Sequence, residues 1–210
     1  MTTKPWILFD IGGVFALADD GHWQPRFSAR LRERAGLDAE TFGARIDAAD
    51  LPRIDIEQGG EAEYWRRVGD ALGFDAAIRA DVRTEFWNAY CGSANSELLA
   101  YARSLPAHVG RAALSNSADG AREEEERRFD LSSVVDPIFY SHEIGVAKPN
   151  AAAYAAALSL MNARPDDVLF IDDHRVSLDG AAAVGIRGHL HTDNATTIEA
   201  IEEFLEPYAL

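Results

Sequence analysis

Cysteine is almost missing from this chain: Cys91 stands alone among 210 residues. That excludes an internal disulfide and fits a reducing compartment, so a cytoplasmic location is expected. No apolar run approaches the roughly 20 residues needed to span a bilayer, which argues against a membrane partner. The opening residues, Met1-Thr2-Thr3-Lys4-Pro5-Trp6, show neither the apolar segment nor the small-residue cleavage site of a secretion signal. Positive charge is also scarce. Twenty Lys and Arg face 35 Asp and Glu, a net charge of -15, and nucleic acid, whose backbone demands clustered cations, is excluded as a partner. The same balance repels anionic ligands over long range unless cationic charge is concentrated locally. The densest acidic run, Glu123-Glu124-Glu125-Glu126, precedes Arg127-Arg128 and is expected to be a solvated helix face with internal ion pairs. There is no internal repeat, low-complexity tract or Pro-rich linker.

What is present is an alternation. Strand-like apolar runs occur at Ile7–Phe9, Ala112–Ser115, Ile138–Ser141, Val168–Ile171 and Gly188–His191. Helical patterns lie between the later ones, at Ala121–Phe129, Ala151–Met161, Leu178–Val184 and Thr197–Leu205. Strands alternating with helices imply right-handed βαβ units and a parallel sheet covered on both faces, the α/β Rossmann-like class. The interval between the first two strands differs. It has no convincing strand but four amphipathic stretches, Gln24–Ala35, Ala39–Ala49, Glu61–Leu72 and Ala76–Tyr90. They are punctuated by Trp23, Phe27, Phe42, Tyr64, Trp65, Phe74, Phe86 and Trp87, which at helical spacing form the core of a small bundle, with one or two facing a ligand. A helical cap over 17–90 is therefore expected between core segments 1–16 and 91–210. Its connections fall near 15–20 and 88–96, and it is placed to open and close over the strand ends.

Four strand ends carry polar groups. Asp10 follows Trp6-Ile7-Leu8-Phe9 and precedes Ile11-Gly12-Gly13; a carboxylate at such a tip faces the crevice where open α/β sheets bind ligands. It suits a carboxylate nucleophile, and the glycines let backbone amides approach a phosphate. Ser115 and Asn116 end the second run, where a hydroxyl and an amide can hold a phosphoryl oxygen. Lys148 sits before Pro149, which suits the first position of the helix that follows, and can bind an anion while offsetting carboxylate repulsion. Asp172-Asp173 closes an apolar strand, and two adjacent acids there ask for a cation. Oxygen-only ligands favour Mg²⁺. With it and Lys148, the charges of Asp10, Asp172 and Asp173 are formally balanced. Taken singly, each of these residues has an ordinary reading as a turn, a cap or a solvated side chain.

Together, in this order, the four segments resemble those of the haloacid dehalogenase (HAD) superfamily of hydrolases over essentially the whole chain. The spacings are 105 residues from Asp10 to Ser115, 33 on to Lys148 and 24 on to Asp172, and the helical insert looks like that superfamily's C1-type cap. The resemblance implies that Asp10 is nucleophile and metal ligand, that Gly12 ligates Mg²⁺ through its carbonyl, and that Asp172 ligates it directly, with Asp173 a second acidic group. It implies that Ser115 binds the phosphoryl group, that Lys148 positions it, and that Gly13 and Asn116 lie on the substrate side. Phosphatases of the superfamily usually carry an acid-base Asp two residues after the nucleophile. This chain has Gly12 there, as do members resembling sugar-1-phosphate phosphatases. The missing group is worth typically ~10²–10⁴ in rate, so good leaving groups should be favoured. His22, His142 and His174 are the residues considered as substitutes.

The function expected is Mg²⁺-dependent hydrolysis of a small phosphorylated metabolite through an aspartyl phosphate on Asp10. The alternatives are a weakly active or non-catalytic binding or regulatory protein, which Gly12 would explain, and a 2-haloacid dehalogenase, which would have no use for the acidic pair. His22, Arg26, Arg53 and Arg66 are the cap groups considered for contact with the rest of the substrate. The oligomeric state is open between monomer and homodimer.

Overall fold

The first apolar run is strand β1 (Trp6–Phe9), and its residues divide by parity. Ile7 and Phe9 point into one core cluster and Leu8 into another, because successive side chains of a strand face opposite sides. The computed structural model describes residues 4–17 and 23–209. After β1 come a short strand β2 (Ala16–Leu17), four helices α1 (Trp23–Ala35), α2 (Ala39–Ala48), α3 (Glu61–Leu72) and α4 (Ala76–Cys91), and a short strand β3 (Ser93–Ala94). The remaining elements are α5 (Ser96–Ser104), β4 (Gly110–Ser115), α6 (Ala121–Phe129), β5 (Ile138–Tyr140), α7 (Ser141–Ile144), α8 (Ala151–Met161), β6 (Val168–Asp172), α9 (Arg175–Ala183), β7 (Arg187–Leu190) and α10 (Asn194–Leu205).

Five strands form one parallel sheet in the order β5-β4-β1-β6-β7. From β1 the chain steps to β4 and β5 on one side and then to β6 and β7 on the other. The order reverses beside β1, which opens a crevice at its C-terminal end. Leu98, Ala121, Phe129, Ile201 and Phe204 cover one face of the sheet, while Ala153, Tyr154, Ala157 and Ala181 cover the other. The central strands β1 and β6 are buried on both faces and read as nearly continuous apolar runs, whereas the edge strand β7 keeps Arg187 and Gly188 exposed. Among the described residues no helix is long and apolar enough to cross a membrane.

The four-helix insert has its own apolar cluster, built on Phe27, Leu31, Trp65, Val68, Leu72, Phe74 and Val82. Asp38 and Asp75 cap α2 and α4 by accepting bonds from Thr41 and Ile78 amides, both at 2.8 Å. Trp87 departs from the bundle expected of these aromatics, since it joins the cluster under the sheet. The expected linkers pair with each other, Ala16 opposite Ala94 and Leu17 opposite Ser93, as an antiparallel ribbon. A further connection has no sequence signature. The Asp119 amide donates to the Ile54 carbonyl at 2.8 Å, the Glu61 amide to Asp119 Oδ2 at 2.8 Å, and Ser141 Oγ to the Asp55 carbonyl at 2.7 Å. The first two tie the middle of the insert to the loop after β4, and the third ties it to the start of α7.

Three local expectations need correction. Pro149 does not open α8; Asn150 caps it, accepting from the Ala152 amide at 3.0 Å, because a side-chain oxygen can satisfy a helix amide and proline cannot. Ser141 begins α7 rather than ending β5. The segment Ser96–Ser104 is a helix that the strand-and-turn reading passed over; its Asn95 cap accepts from the Leu98 amide at 3.3 Å.

Candidate active site

Immediately after β1 the backbone turns back on itself. The Ile11 carbonyl accepts from the amides of Val14, Phe15 and Ala16, and Gly13 adopts φ +75°, a conformation that favours glycine. A Cβ at Gly13 would stand 2.2 Å from Asp173 Oδ2, whereas one at Gly12 would meet nothing within 4 Å. The turn therefore presses its backbone at Gly13 against the Asp173 carboxylate. Asp10, at the tip of β1, extends the β1–β6 ladder by donating its amide to the Ile171 carbonyl at 2.8 Å.

The sheet brings Asp10, Lys148 and Asp172 together. Lys148 Nζ lies 2.9 Å from Asp10 Oδ1 and 2.7 Å from Asp172 Oδ2, and all three side chains are buried. Asp10 Oδ1 also accepts from the Ile11 amide at 2.7 Å; among the described residues no group bonds its Oδ2. Asp172 Oδ1 accepts from the His174 amide, and Asp173 Oδ1 is 2.7 Å from His174 Nδ1. Asn116 fixes the lysine loop: its amide donates to the Lys148 carbonyl at 2.9 Å and its oxygen accepts from the Lys148 amide at 2.7 Å. That side chain is committed to the loop, so what Asn116 offers a ligand is its backbone.

One ammonium cannot neutralise two buried carboxylates. Burial pushes the Asp10 carboxyl up to about 7, against the attraction of Lys148 and with the repulsion of Asp172 adding to the rise. Burial also works against the Lys148 charge, but Asp10 and Asp172 outweigh it and hold the ammonium above its ordinary range. The excess negative charge calls for either a proton or a cation. Ligand atoms of Asp172, Asp173 and His174 lie within 4.8 Å of one another, and the carboxylate oxygens of this corner, with the Gly12 backbone beside them, are the donor set that suits a hard divalent ion. The residues fit Mg²⁺.

A cavity of about 620 Å³ opens over this corner, lined by Asp10, Gly12, Gly13, Asn116, Lys148, Asp173 and His174 from the sheet side and by Trp23, Gln24 and Tyr90 from the insert. Ser115 ends β4 buried, with Oγ 3.5 Å from the Asn116 carbonyl, and is not among the cavity's lining residues. Of the substitute acids considered, His142 is buried against Ser117 Oγ at 2.7 Å, away from the cavity lining. Burial lowers its pKa. His174 lines the cavity, and His22 lies outside the described residues. Arg53 and Arg66 do not reach the site: Arg53 pairs with Asp55 and Arg66 with Glu63 and Asp70 on the insert surface. Arg26 is likewise not among the lining residues.

The sequence reading missed Glu125, which also lines the cavity. Glu124 of the acidic run does pair with Arg127 and Arg128 as expected, and also with Arg83 of α4, but Glu125 is only 1% exposed. The signal was available in the spacing. Ala121, Glu125 and Phe129 recur every four residues and share the face of α6 that packs on the core.

A doubly wound parallel sheet with carboxylates and a lysine gathered at its switch point is the build of an α/β enzyme. The chain belongs to the haloacid dehalogenase-like hydrolases, whose family model matches residues 5–185. Its fold is similar to that of the HAD family enzyme bt-2542 from Bacteroides thetaiotaomicron, with a TM-score of 0.75 at 18% identity over 94% of this chain and 99% of that one. The same enzyme in complex with magnesium and inorganic phosphate gives a TM-score of 0.70 at 18% identity, covering 92% and 98% of the two chains. A 2-haloacid dehalogenase from Pseudomonas syringae pv. Tomato DC3000 matches with a TM-score of 0.67 at 17% identity, covering 99% and 100%.

Proposed function

We propose that this hydrolase is a Mg²⁺-dependent phosphatase acting on small phosphomonoesters, with Asp10 as nucleophile. The observation that supports this reading most directly is the excess of buried carboxylate over cation at the corner of Asp10, Lys148 and Asp172. An ester-forming dehalogenase has no use for that excess. Moreover, a 2-haloacid carries its own carboxylate, and among the described lining residues Lys148 is the sole Lys or Arg, already shared between two acids. A phosphoryl group arriving with a divalent ion meets a nearly neutral site instead.

In this mechanism Asp172, Asp173, Asp10 and the Gly12 carbonyl hold the ion, which when bound neutralises charge on the phosphoryl oxygens. Asp10 Oδ1 is fixed by Ile11 and Lys148, so Oδ2 attacks phosphorus while the bond from phosphorus to the leaving oxygen breaks with its electron pair. This gives an aspartyl phosphate and an alkoxide that must take up a proton; water then cleaves the aspartyl phosphate to free Asp10 and inorganic phosphate. Lys148 and the backbone amides near Gly13 and Asn116 stabilise the charge that develops on the equatorial oxygens, with Ser115 behind them. The insert acts as the cap over 17–90: Trp23, Gln24 and Tyr90 meet the non-reacting part of the substrate and exclude water. A cytoplasmic location belongs to the same proposal.

The test is phosphate release from a panel of sugar, acyl, aryl and alkyl phosphates with Mg²⁺ or EDTA. Release should require the metal and fall at least about 10³-fold in Asp10→Asn, since an amide oxygen is a far weaker nucleophile. Halide release from 2-chloropropionate without any phosphate release would refute the reading.

A further inference from the structure

The phosphatase reading leaves one buried acid in the cavity without a task, and one task without a residue. Glu125 sits on α6 among apolar neighbours, and the Tyr140 hydroxyl donates to its Oε2 at 2.7 Å. Among the described residues no cation pairs with it. Arg122, on the same helix, is held by both oxygens of Glu143, at 2.5 and 2.7 Å, and Arg83, Arg127 and Arg128 are drawn to Glu124. The other ionisable groups around it are Asp10 from the end of β1, Tyr90 and Cys91 from α4, and Tyr140 from β5. A buried carboxylate without a counter-ion, sharing a cavity with a second carboxylate, is stable only with a proton attached. Meanwhile position 12, two residues after the nucleophile, is a glycine that moves no proton.

We propose that Glu125 is the general acid and base of this site, standing on α6 in place of the group that position 12 lacks. The inference rests on the phosphatase reading and goes beyond it. As Asp10 Oδ2 forms its bond to phosphorus, the bond from phosphorus to the leaving oxygen breaks with its electron pair, and the Glu125 proton makes that oxygen an alcohol. The Glu125 carboxylate then takes a proton from the water that attacks the aspartyl phosphate. Asp10 departs as a carboxylate, inorganic phosphate is released, and Glu125 is protonated again. Burial supports this assignment, pushing the Glu125 carboxyl up to about 8 against the Tyr140 hydrogen bond, with Asp10 adding to the rise and Arg122 opposing it. An acid with that pKa is protonated at neutral pH and can be reloaded there.

The test compares wild type with E125Q, which keeps the side-chain volume and an oxygen for Tyr140 but has no proton to give. With Mg²⁺, kcat/KM of E125Q, which reports only the steps up to release of the alcohol, should fall about 10²-fold or more on an alkyl phosphate. It should fall less than about fivefold on p-nitrophenyl phosphate, whose leaving group needs no protonation, while kcat falls on both because both pass through the same aspartyl phosphate. Equal losses of kcat/KM on both substrates, or none on either, would overturn the assignment while leaving the phosphatase intact. No release by wild type from any substrate would overturn the phosphatase reading and the assignment with it. Should E125Q fail to fold, Tyr140→Phe provides the second measurement. Removing the hydrogen bond that lowers the Glu125 pKa should move the basic limb of the alkyl phosphate rate profile to higher pH. A limb that stays in place would overturn the proposal.

Discussion

Metal binding should be strongly pH-dependent, and the size of the effect follows from the buried corner at Asp10. Without metal, burial is the main cause that lifts this carboxyl to about 7, from 3.8 in an exposed chain. Between those values the folded protein binds a proton that the unfolded chain has released, so the group favours folding below about pH 4 and that contribution is lost as pH rises to 7. A divalent ion needs the carboxylate, so binding must expel the proton. At pH 8 about a tenth of Asp10 is protonated, which leaves the affinity almost intact. At pH 5.5 the competition weakens binding about 30-fold, or about 2 kcal/mol. Isothermal titration with Mg²⁺ at the two pH values, in buffers of different ionisation enthalpy, reads both quantities. The expected result is a ~30-fold weaker Kd at pH 5.5 with nearly one proton released, and about a tenth of a proton at pH 8. An affinity equal at both pH values, or a pH dependence that survives in Asp10→Asn, would refute the reasoning.

Lys148→Met leaves Asp10 and Asp172 buried without their shared ammonium. Denaturant unfolding at pH 8 in EDTA should show a loss of about 3–5 kcal/mol, smaller at pH 5.5, where a proton takes the place of the charge. Gly13→Ala places a methyl group against the Asp173 carboxylate at a positive φ. Thermal unfolding should register about 1–2 kcal/mol, and Mg²⁺ titration an affinity roughly 10-fold lower. Trp23 lines both the cavity over Asp10 and Lys148 and a neighbouring apolar cavity of about 230 Å³ inside the insert. Steady-state kinetics of Trp23→Ala should show KM raised about fivefold or more with kcat within about twofold, the pattern of a group that binds the non-reacting part of the substrate.

The composition, the parity of apolar residues and the four polar strand ends determined a great deal without coordinates. A parallel sheet buried at its centre, an insert of four helices and the meeting of Asp10 with Asp172 follow from local rules, because strand ends in a doubly wound sheet share one edge. Lys148, in contrast, stands on the loop between α7 and α8 and is held there by the Asn116 side chain. Tertiary structure decided what local rules cannot express. Glu125 reads as one of four solvated acids until helix phase and the packing of α6 turn it inward, away from the arginines that hold Glu124. Arg53 and Arg66 read as cap contacts until nearby acids on the insert surface engage them. The ties from Ile54, Asp55 and Glu61 to the loop after β4 and to the start of α7 join residues 58 to 86 positions apart, and no periodicity reports a bond at that separation. Charge state was decided last of all. Whether a carboxyl carries a proton depends on the water and the counter-charges around it, and only the folded chain sets both.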